Sequence, residues 1–371
     1  MKDLFRNSYF IILLISLLIA SIGILSIYSS TYQKEGKFWQ EISRRQILWV
    51  FIGVLVFIIF SNLNYRWLWD CTYFLYTMAL FFLFLVFMLG QVRLGAQRWF
   101  KIGWFNFQPS EFVKLIILIF LSRYFSKKST DDISLLCAKF GIFRAIILPF
   151  LFIIVPMGFI IEQPDLGSGM MIFFLFICLL YFTGVRLRYI FVFLSASFLA
   201  MPLLWHFLRD YQRERLLVFL NPNIDPLGAG YTVIQSKIAI GSGSLLGRGW
   251  LSGTQSQLHF LPESHTDFIF ATFAEQWGLA GSIILLALYY LLIRQGILIA
   301  RKTSDCFGRL LAFGISFLLA IQIFINIAMN LGLAPVVGLP LPLMSYGGSS
   351  TLATFIALGI LVSIDKRRAV F

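Results

Sequence analysis

FLPESHTDFIFATFAEQWGLAGSIILLALYYLLI, residues 260–293, joins a cluster of ionisable side chains to a long apolar run. The run is long enough to cross a bilayer, which takes about 20 mostly apolar residues to cover roughly 30 Å of hydrocarbon. Just ahead of it, Glu263, His265 and Asp267 fall within five residues. Runs of similar length recur along the 371 residues, of which 59% are hydrophobic and only 13% charged. Backbone in lipid must satisfy its own hydrogen bonds, so the chain reads as an all-α polytopic membrane protein. Runs this long exclude the short alternating strands of an outer-membrane barrel.

Working outward, ten spans are expected, near 9–28, 46–61, 71–90, 110–125, 143–161, 166–184, 189–208, 267–293, 310–331 and 347–364. The first follows Lys2 and Arg6 and imitates a signal peptide. It is too long for the usual apolar region and no small-residue cleavage site precedes QKEGK, so it reads as a retained span. With the N-terminus in the cytoplasm, Lys and Arg are more numerous on the inner side, clustering in SRYFSKKS, GVRLR, RQGILIARK and DKRR. An even number of spans then makes both termini cytoplasmic. The formal net charge of +13 fits lipid headgroups and this asymmetry, and argues against a nucleic-acid partner. Cys71, Cys137, Cys178 and Cys306 have neither the spacing of a zinc site nor the placement of a disulfide framework.

The chain is expected to form one integral membrane domain, 1–371, with a large extracytoplasmic loop, 209–266, between spans seven and eight. Within that loop GYTVIQSKIAI, residues 230–240, suits a short helix lying on the membrane surface. The fifth span carries Pro149 and Pro156 and ends in EQPDLGSG, residues 162–169. Such interruptions are tolerated where loose backbone faces protein or a water-filled cavity, so the break points to an internal site.

Chemistry-bearing residues gather at a few places. In GAQRWFKIGWFNFQPSEFVKL, residues 95–115, Arg98 and Lys101 stand among Trp99, Phe100 and Trp104. An aromatic belt with snorkelling cations accounts for the aromatics. Glu111 and Lys114, three apart, can pair on one helix face, as a structural ion pair or as part of a site. Glu162 and Asp165 offer two carboxylates beside a break, and Asp165 also stands where a helix N-cap would. The glycines of GSGSLLGRG, residues 241–249, lack the strand context and the GK[ST] ending of a phosphate loop, which leaves Arg248 and backbone N–H groups as contacts for a lipid-linked phosphate, or an ordinary turn. In FLPESHTDF, capping explains one of Thr266 and Asp267. It does not explain Glu263, His265 and Asp267 arriving together, nor Glu275 two turns into the apolar run. Asp267 is the favoured functional group, as a general base; His265 serves equally as a loop brace. PVVGLPLPLMSYGGSS, residues 335–350, reads as a rigid turn, and Ser345 and Ser349 have no local acid–base partner, so a serine hydrolase is unsupported.

Taken together, GAQRWFKIGWFNFQPSEFVKL, EQPDLGSG, GYTVIQSKIAIGSGSLLGRGW, GTQSQLHFLPESHTDFIFATFAEQWGLAG and GLPLPLMSYGGSS resemble the SEDS family (shape, elongation, division and sporulation) in order and spacing over nearly the whole chain. GTQSQL and the short termini are more similar to the elongation branch than to the division branch. The resemblance implies a ten-span peptidoglycan glycosyltransferase that polymerises lipid II on the outer face of the bacterial cytoplasmic membrane. It implies as partners a class B penicillin-binding protein, other elongation-complex proteins and membrane lipids.

By the same resemblance Asp267 is the essential aspartate of the HTDFIF motif; Glu111, Lys114, Asp165, Arg98 and Trp99 match further family positions, and Ser168, Ser244, Gln276 and Trp277 depart from common family residues. The expected chemistry is inverting β-1,4 transfer with Asp267 as base, and with Arg98, Lys101 or Arg248 at the departing diphosphate. Glu263 and His265 are expected to support the loop or touch substrate. No cofactor is required by this reading, which admits a divalent cation at the diphosphate. Rival readings are a lipid II flippase and a noncatalytic scaffold for a cell-wall synthase.

Overall fold

Each of the ten apolar runs is helical in the computed structural model, which describes residues 8–33, 37–93, 96–103, 105–126, 143–226 and 228–367. Trp104, Cys137 and the flanking cations Lys2, Arg6, Lys127, Lys128 and Arg368 lie outside the described residues. In chain order the helices are α1 (Ser8–Thr31), α2 (Lys37–Asn62), α3 (Arg66–Asp70), α4 (Thr72–Leu89), α5 (Pro109–Ser126), α6 (Leu148–Glu162), α7 (Leu166–Phe182), α8 (Leu187–Leu199), α9 (Met201–Phe207) and α10 (Asp210–Leu220). There follow α11 (Ala229–Ser242), α12 (Thr254–Gln257), α13 (Ile269–Lys302), α14 (Cys306–Asn330) and α15 (Gly348–Arg367).

Among the described residues seven helices are long and apolar enough to span a membrane. Two shorter apolar helices, Leu166–Phe182 and Leu187–Leu203, and α5, which carries Glu111, Lys114 and Arg123, occupy the remaining expected positions. The chain is a multi-pass membrane protein. Its exposed side chains agree: Leu279, Ile283, Ile284 and Tyr290 on α13 are all more than half exposed, an apolar face that lipid solvates.

Several boundaries differ from expectation for local reasons. The seventh run breaks after Leu199, and a second helix starts at Met201 with Pro202 in its first turn, where the missing N–H of proline is tolerated. α13 continues well beyond 293, and its last turn holds Arg301 and Lys302, cations that suit the negative end of a helix. The fifth run begins as a π-helical turn, Phe143–Ile147, and α6 then accommodates Pro156. Among the described residues the expected loop 209–266 has no span but holds α10, a 3₁₀ turn (Pro222–Ile224), α11 and α12.

The chain divides into two compact units. One comprises Met1–Val56, Arg209–Gln295 and Leu319–Phe355. In it α11 turns Ala239 onto Leu261, Phe268 and Ala271, with Ile240 and Val336 packed alongside, so this helix seals the segment that precedes α13. The other comprises Phe57–Leu208, Gly296–Leu318 and Ile356–Phe371. Here α5 is buried along most of its length, and Phe120 stacks on Tyr76 of α4 with centroids 4.8 Å apart. The Tyr76 hydroxyl donates to the Phe152 carbonyl of α6 (2.7 Å). Ahead of α5, strands β1 (Gln91–Arg93), β2 (Ala96–Ile102) and β3 (Phe105–Phe107) form an antiparallel sheet in that order, pairing Phe100 with Phe107 and Lys101 with Asn106.

Candidate active site

Asp267 sits two residues before α13, in a run of turns that begins after Phe260. The turns are built by Glu263, whose carbonyl accepts from the N–H groups of Thr266 (3.1 Å) and Phe268 (3.2 Å) and whose φ is +47°. Its exposed carboxylate accepts from the Thr266 hydroxyl (3.1 Å). His265 is buried edge-on against Trp39, with ring centroids 5.3 Å apart, and its carbonyl accepts from the Tyr346 N–H (3.0 Å). Glu263 and His265 therefore shape and brace the segment that presents Asp267. Asp267 itself is partly exposed.

The Asp267 main chain is gripped from α14. Asn326 and Asn330, both fully buried, donate from their carboxamides to the Asp267 carbonyl at 3.1 and 3.0 Å. Beside them, three carbonyls of the proline-rich stretch after α14 are satisfied by side chains. Asn326 donates to Leu339 O (2.7 Å), Gln322 to Pro340 O (2.8 Å) and Tyr289 to Pro342 O (2.7 Å). Ser345, read from sequence as structural, joins this stretch to the site: its hydroxyl donates to Thr266 O (2.6 Å) and accepts from Leu341 N–H (2.8 Å). Burial pushes the Tyr346 hydroxyl pKa up, and Arg45 draws it partly back.

Glu275 proves to be a clasp. Fully buried on α13, its carboxylate accepts from the N–H groups of Gln255 (2.8 Å) and Ser256 (3.1 Å) and from the Thr254 hydroxyl (3.4 Å), holding the start of α12. The glycine loop serves the same region. Gly278 has φ +64°, which breaks α13 into two segments, and a Cβ there would meet Gly247 N at 2.3 Å. Across this contact Arg248 N–H donates to Glu275 O, Gly249 N–H to Gln276 O, and Leu279 and Ala280 N–H to the carbonyls of Ser244 and Leu245. The glycines thus permit backbone-to-backbone packing, and the N–H groups of 247–249 are engaged within the protein rather than held open as a phosphate cradle. The Arg248 side chain is exposed and reaches Ser242 O and the Thr254 hydroxyl.

The other unit gathers Arg98, Ser110, Glu111, Lys114 and Asp165. Asp165 caps α7 by accepting from Ser168 N–H (3.2 Å) and also accepts from the Ser110 hydroxyl (3.0 Å). Arg98 Nη1 stands 3.9 Å from its carboxylate, and Arg98 Nε donates to Gln163 O (3.2 Å), so the EQPDLG break is tied to β2. Glu111 and Lys114 form the anticipated ion pair at 2.9 Å, 4% and 1% exposed. Charges this deep are retained only when paired, since each alone is costly in a low-dielectric interior. Trp99 is half-buried and Lys101 exposed on β2, whereas Glu162 is exposed at the end of α6. Among the described residues no group of three or more His, Cys, Asp or Glu side chains is placed to hold a metal ion.

Asn326, Asn330 and Gln46 escaped the sequence reading. Gln46 donates to Thr351 Oγ1 (3.1 Å) and accepts from Gly347 N–H (3.2 Å), anchoring the start of α15. The available signal was two amides at i and i+4 inside the apolar INIAMN, residues 325–330, since intramembrane polar groups need partners.

Residues 9–369 match the family described as cell cycle protein FtsW, RodA and SpoVE. The chain is 41% identical over 361 residues to peptidoglycan glycosyltransferase MrdB of Escherichia coli K12, covering 96% of this chain and 93% of that protein. It is 31% identical to peptidoglycan glycosyltransferase RodA of Treponema pallidum, covering 97% and 98%. In structure it is similar to a chain of a peptidoglycan synthase complex that coordinates polymerization and crosslinking (TM-score 0.81, 30% identity, 96% and 97% covered). It is also similar to the crystal structure of RodA from Thermus thermophilus (TM-score 0.70, 26% identity, 96% of each chain covered). With a match running nearly end to end, the chain belongs to the SEDS family of cell cycle proteins, that of FtsW, RodA and SpoVE.

Proposed function

We infer that Asp267 is the general base of a peptidoglycan glycosyltransferase that polymerises lipid II into glycan strands, the activity named for the relatives this chain matches. The observation that carries the assignment is a partly exposed carboxylate at the head of a broken helix, on a main chain held by two buried amides. In the proposed reaction Asp267 takes the proton from the 4-hydroxyl of the acceptor sugar as that oxygen bonds the anomeric carbon of the donor. The bond from that carbon to the diphosphate breaks, and the α-linked donor becomes a β-1,4 link. Direct displacement inverts the centre with one base. A cation stabilises the diphosphate as it leaves, and Arg248, in the unit of Asp267, is the candidate. A divalent cation at the diphosphate would take most of its ligands from the substrate, since among the described residues no group of three or more His, Cys, Asp or Glu side chains is placed to hold one.

The donor and acceptor sugars are placed on the outer face of the cytoplasmic membrane, with both chain termini in the cytoplasm. The Lys and Arg clusters at the proposed inner ends of the spans support that orientation. A class B penicillin-binding protein and other elongation-complex proteins are the proposed partners, a reading supported by the likeness to a chain of a synthase complex. Purified protein with its partner and labelled lipid II provides the test. Polymer that disappears on Asp267→Asn supports the assignment. Lipid translocation that survives that change, with no polymer from the parent protein, would make the chain a flippase; activity in neither assay would leave it a scaffold.

A further inference from the structure

In an ordinary α-helical turn the N–H of residue 271 would donate to the carbonyl of residue 267. Here the Asn330 carboxamide stands between them. Its Oδ1 accepts from Ala271 N–H (3.1 Å) and its Nδ2 donates to Asp267 O (3.0 Å). One side chain thus replaces both ends of a helical hydrogen bond and holds the turn open. Asn326 makes a second donation to the same carbonyl (3.1 Å). Asn330 is fixed in turn: its Nδ2 also donates to Asn326 O (2.8 Å), and its own carbonyl accepts from the Ser236 hydroxyl of α11 (2.7 Å). Both amides are fully buried, so water does not compete for these bonds.

We propose that Asn330, assisted by Asn326, is a positioning residue that keeps the turn from Asp267 to Ala271, at the entry to α13, open and thereby aims the Asp267 carboxylate. The proposal rests on Asp267 being the base. Without the Asn330 amide, Asp267 O and Ala271 N–H lose their shared partner, and the bond that satisfies both at once is the direct helical one. Forming it draws residue 267 into the helix and turns its side chain about the helix axis. Lipid II binding draws on many other groups, so the damage falls on the chemical step.

The test is steady-state polymerisation of labelled lipid II by the full chain with its partner synthase, with thermal unfolding recorded in parallel. Asn330→Ala is expected to lower kcat by about 10²-fold with KM little changed, as for a reacting group misplaced by about 1 Å. Asn326→Ala, which leaves the Asn330 bridge intact, is expected to cost less. Should Asn330→Ala not yield folded protein, the near-isosteric Asn330→Asp is read in the same way, since it keeps the acceptor for Ala271 and loses the donor to Asp267. A folded Asn330 variant with parental kcat, or one whose loss is confined to KM, overturns the inference. Asp267→Asn separates the two readings. If it is inactive while the Asn330 variants polymerise normally, only the positioning role fails; if it polymerises like the parent, the base assignment fails and the inference with it.

Discussion

Two aspartates stand at helix starts in this chain, and the protein uses them differently. Asp165, almost fully buried, gives its carboxylate to the Ser168 N–H and the Ser110 hydroxyl, with Arg98 nearby. At Asp267 it is the main-chain carbonyl that Asn326 and Asn330 grip, and the residue remains partly exposed. A carboxylate bonded to its own backbone stabilises a break in a helix. A carboxylate on a main chain held by other groups can be aimed. Two other acids are held inside the protein as Asp165 is: Glu275 accepts from N–H groups of α12, and Glu111 pairs with Lys114.

The contrast is most sharply broken or kept by Asp267→Asn. Polymerisation should fall by about 10²–10⁴-fold with thermal unfolding unmoved, the range for loss of a positioned general base. A variant that loses stability in step with activity would place Asp267 with Asp165. Next in size is Lys114→Met, which leaves Glu111 as an uncompensated buried charge and should cost about 3–5 kcal/mol of stability. Adding Glu111→Gln should recover much of that loss in a thermal melt if the pair is architectural, whereas a pair that touches substrate would leave the stable double variant inactive. Asp165→Ala removes a cap and a partner for Ser110, and a loss of about 1–3 kcal/mol is expected, with residual activity tracking the folded fraction. The smallest effect belongs to Glu263→Gln. Its exposed carboxylate meets the Thr266 hydroxyl while its carbonyl does the structural work, so a change below about threefold in polymer yield is expected.

The motifs were legible to different depths. Glu111 and Lys114 could be paired from sequence because a spacing of three is a local property of a helix. The Asp165 cap was equally local. GSGSLLGRG showed its glycines but not their use, because the Gln276–Leu279 backbone they pack against carries no mark in the 241–249 stretch. Glu275 looked like a candidate for chemistry until its partners, some twenty residues earlier in the chain, accounted for its charge. Ser345 was read as structural, and the structure adds its partner, the Thr266 carbonyl.

By itself the sequence determined that the chain crosses a membrane many times as helices, since length and apolar composition leave a lipid-embedded backbone one way to satisfy its N–H and C=O groups. It also marked Asp267 as an acid at the edge of a span. Only the tertiary structure decided what holds that acid: Asn326 and Asn330 lie 59 and 63 residues away, and a hydrogen bond between distant segments leaves no periodicity to read in either one.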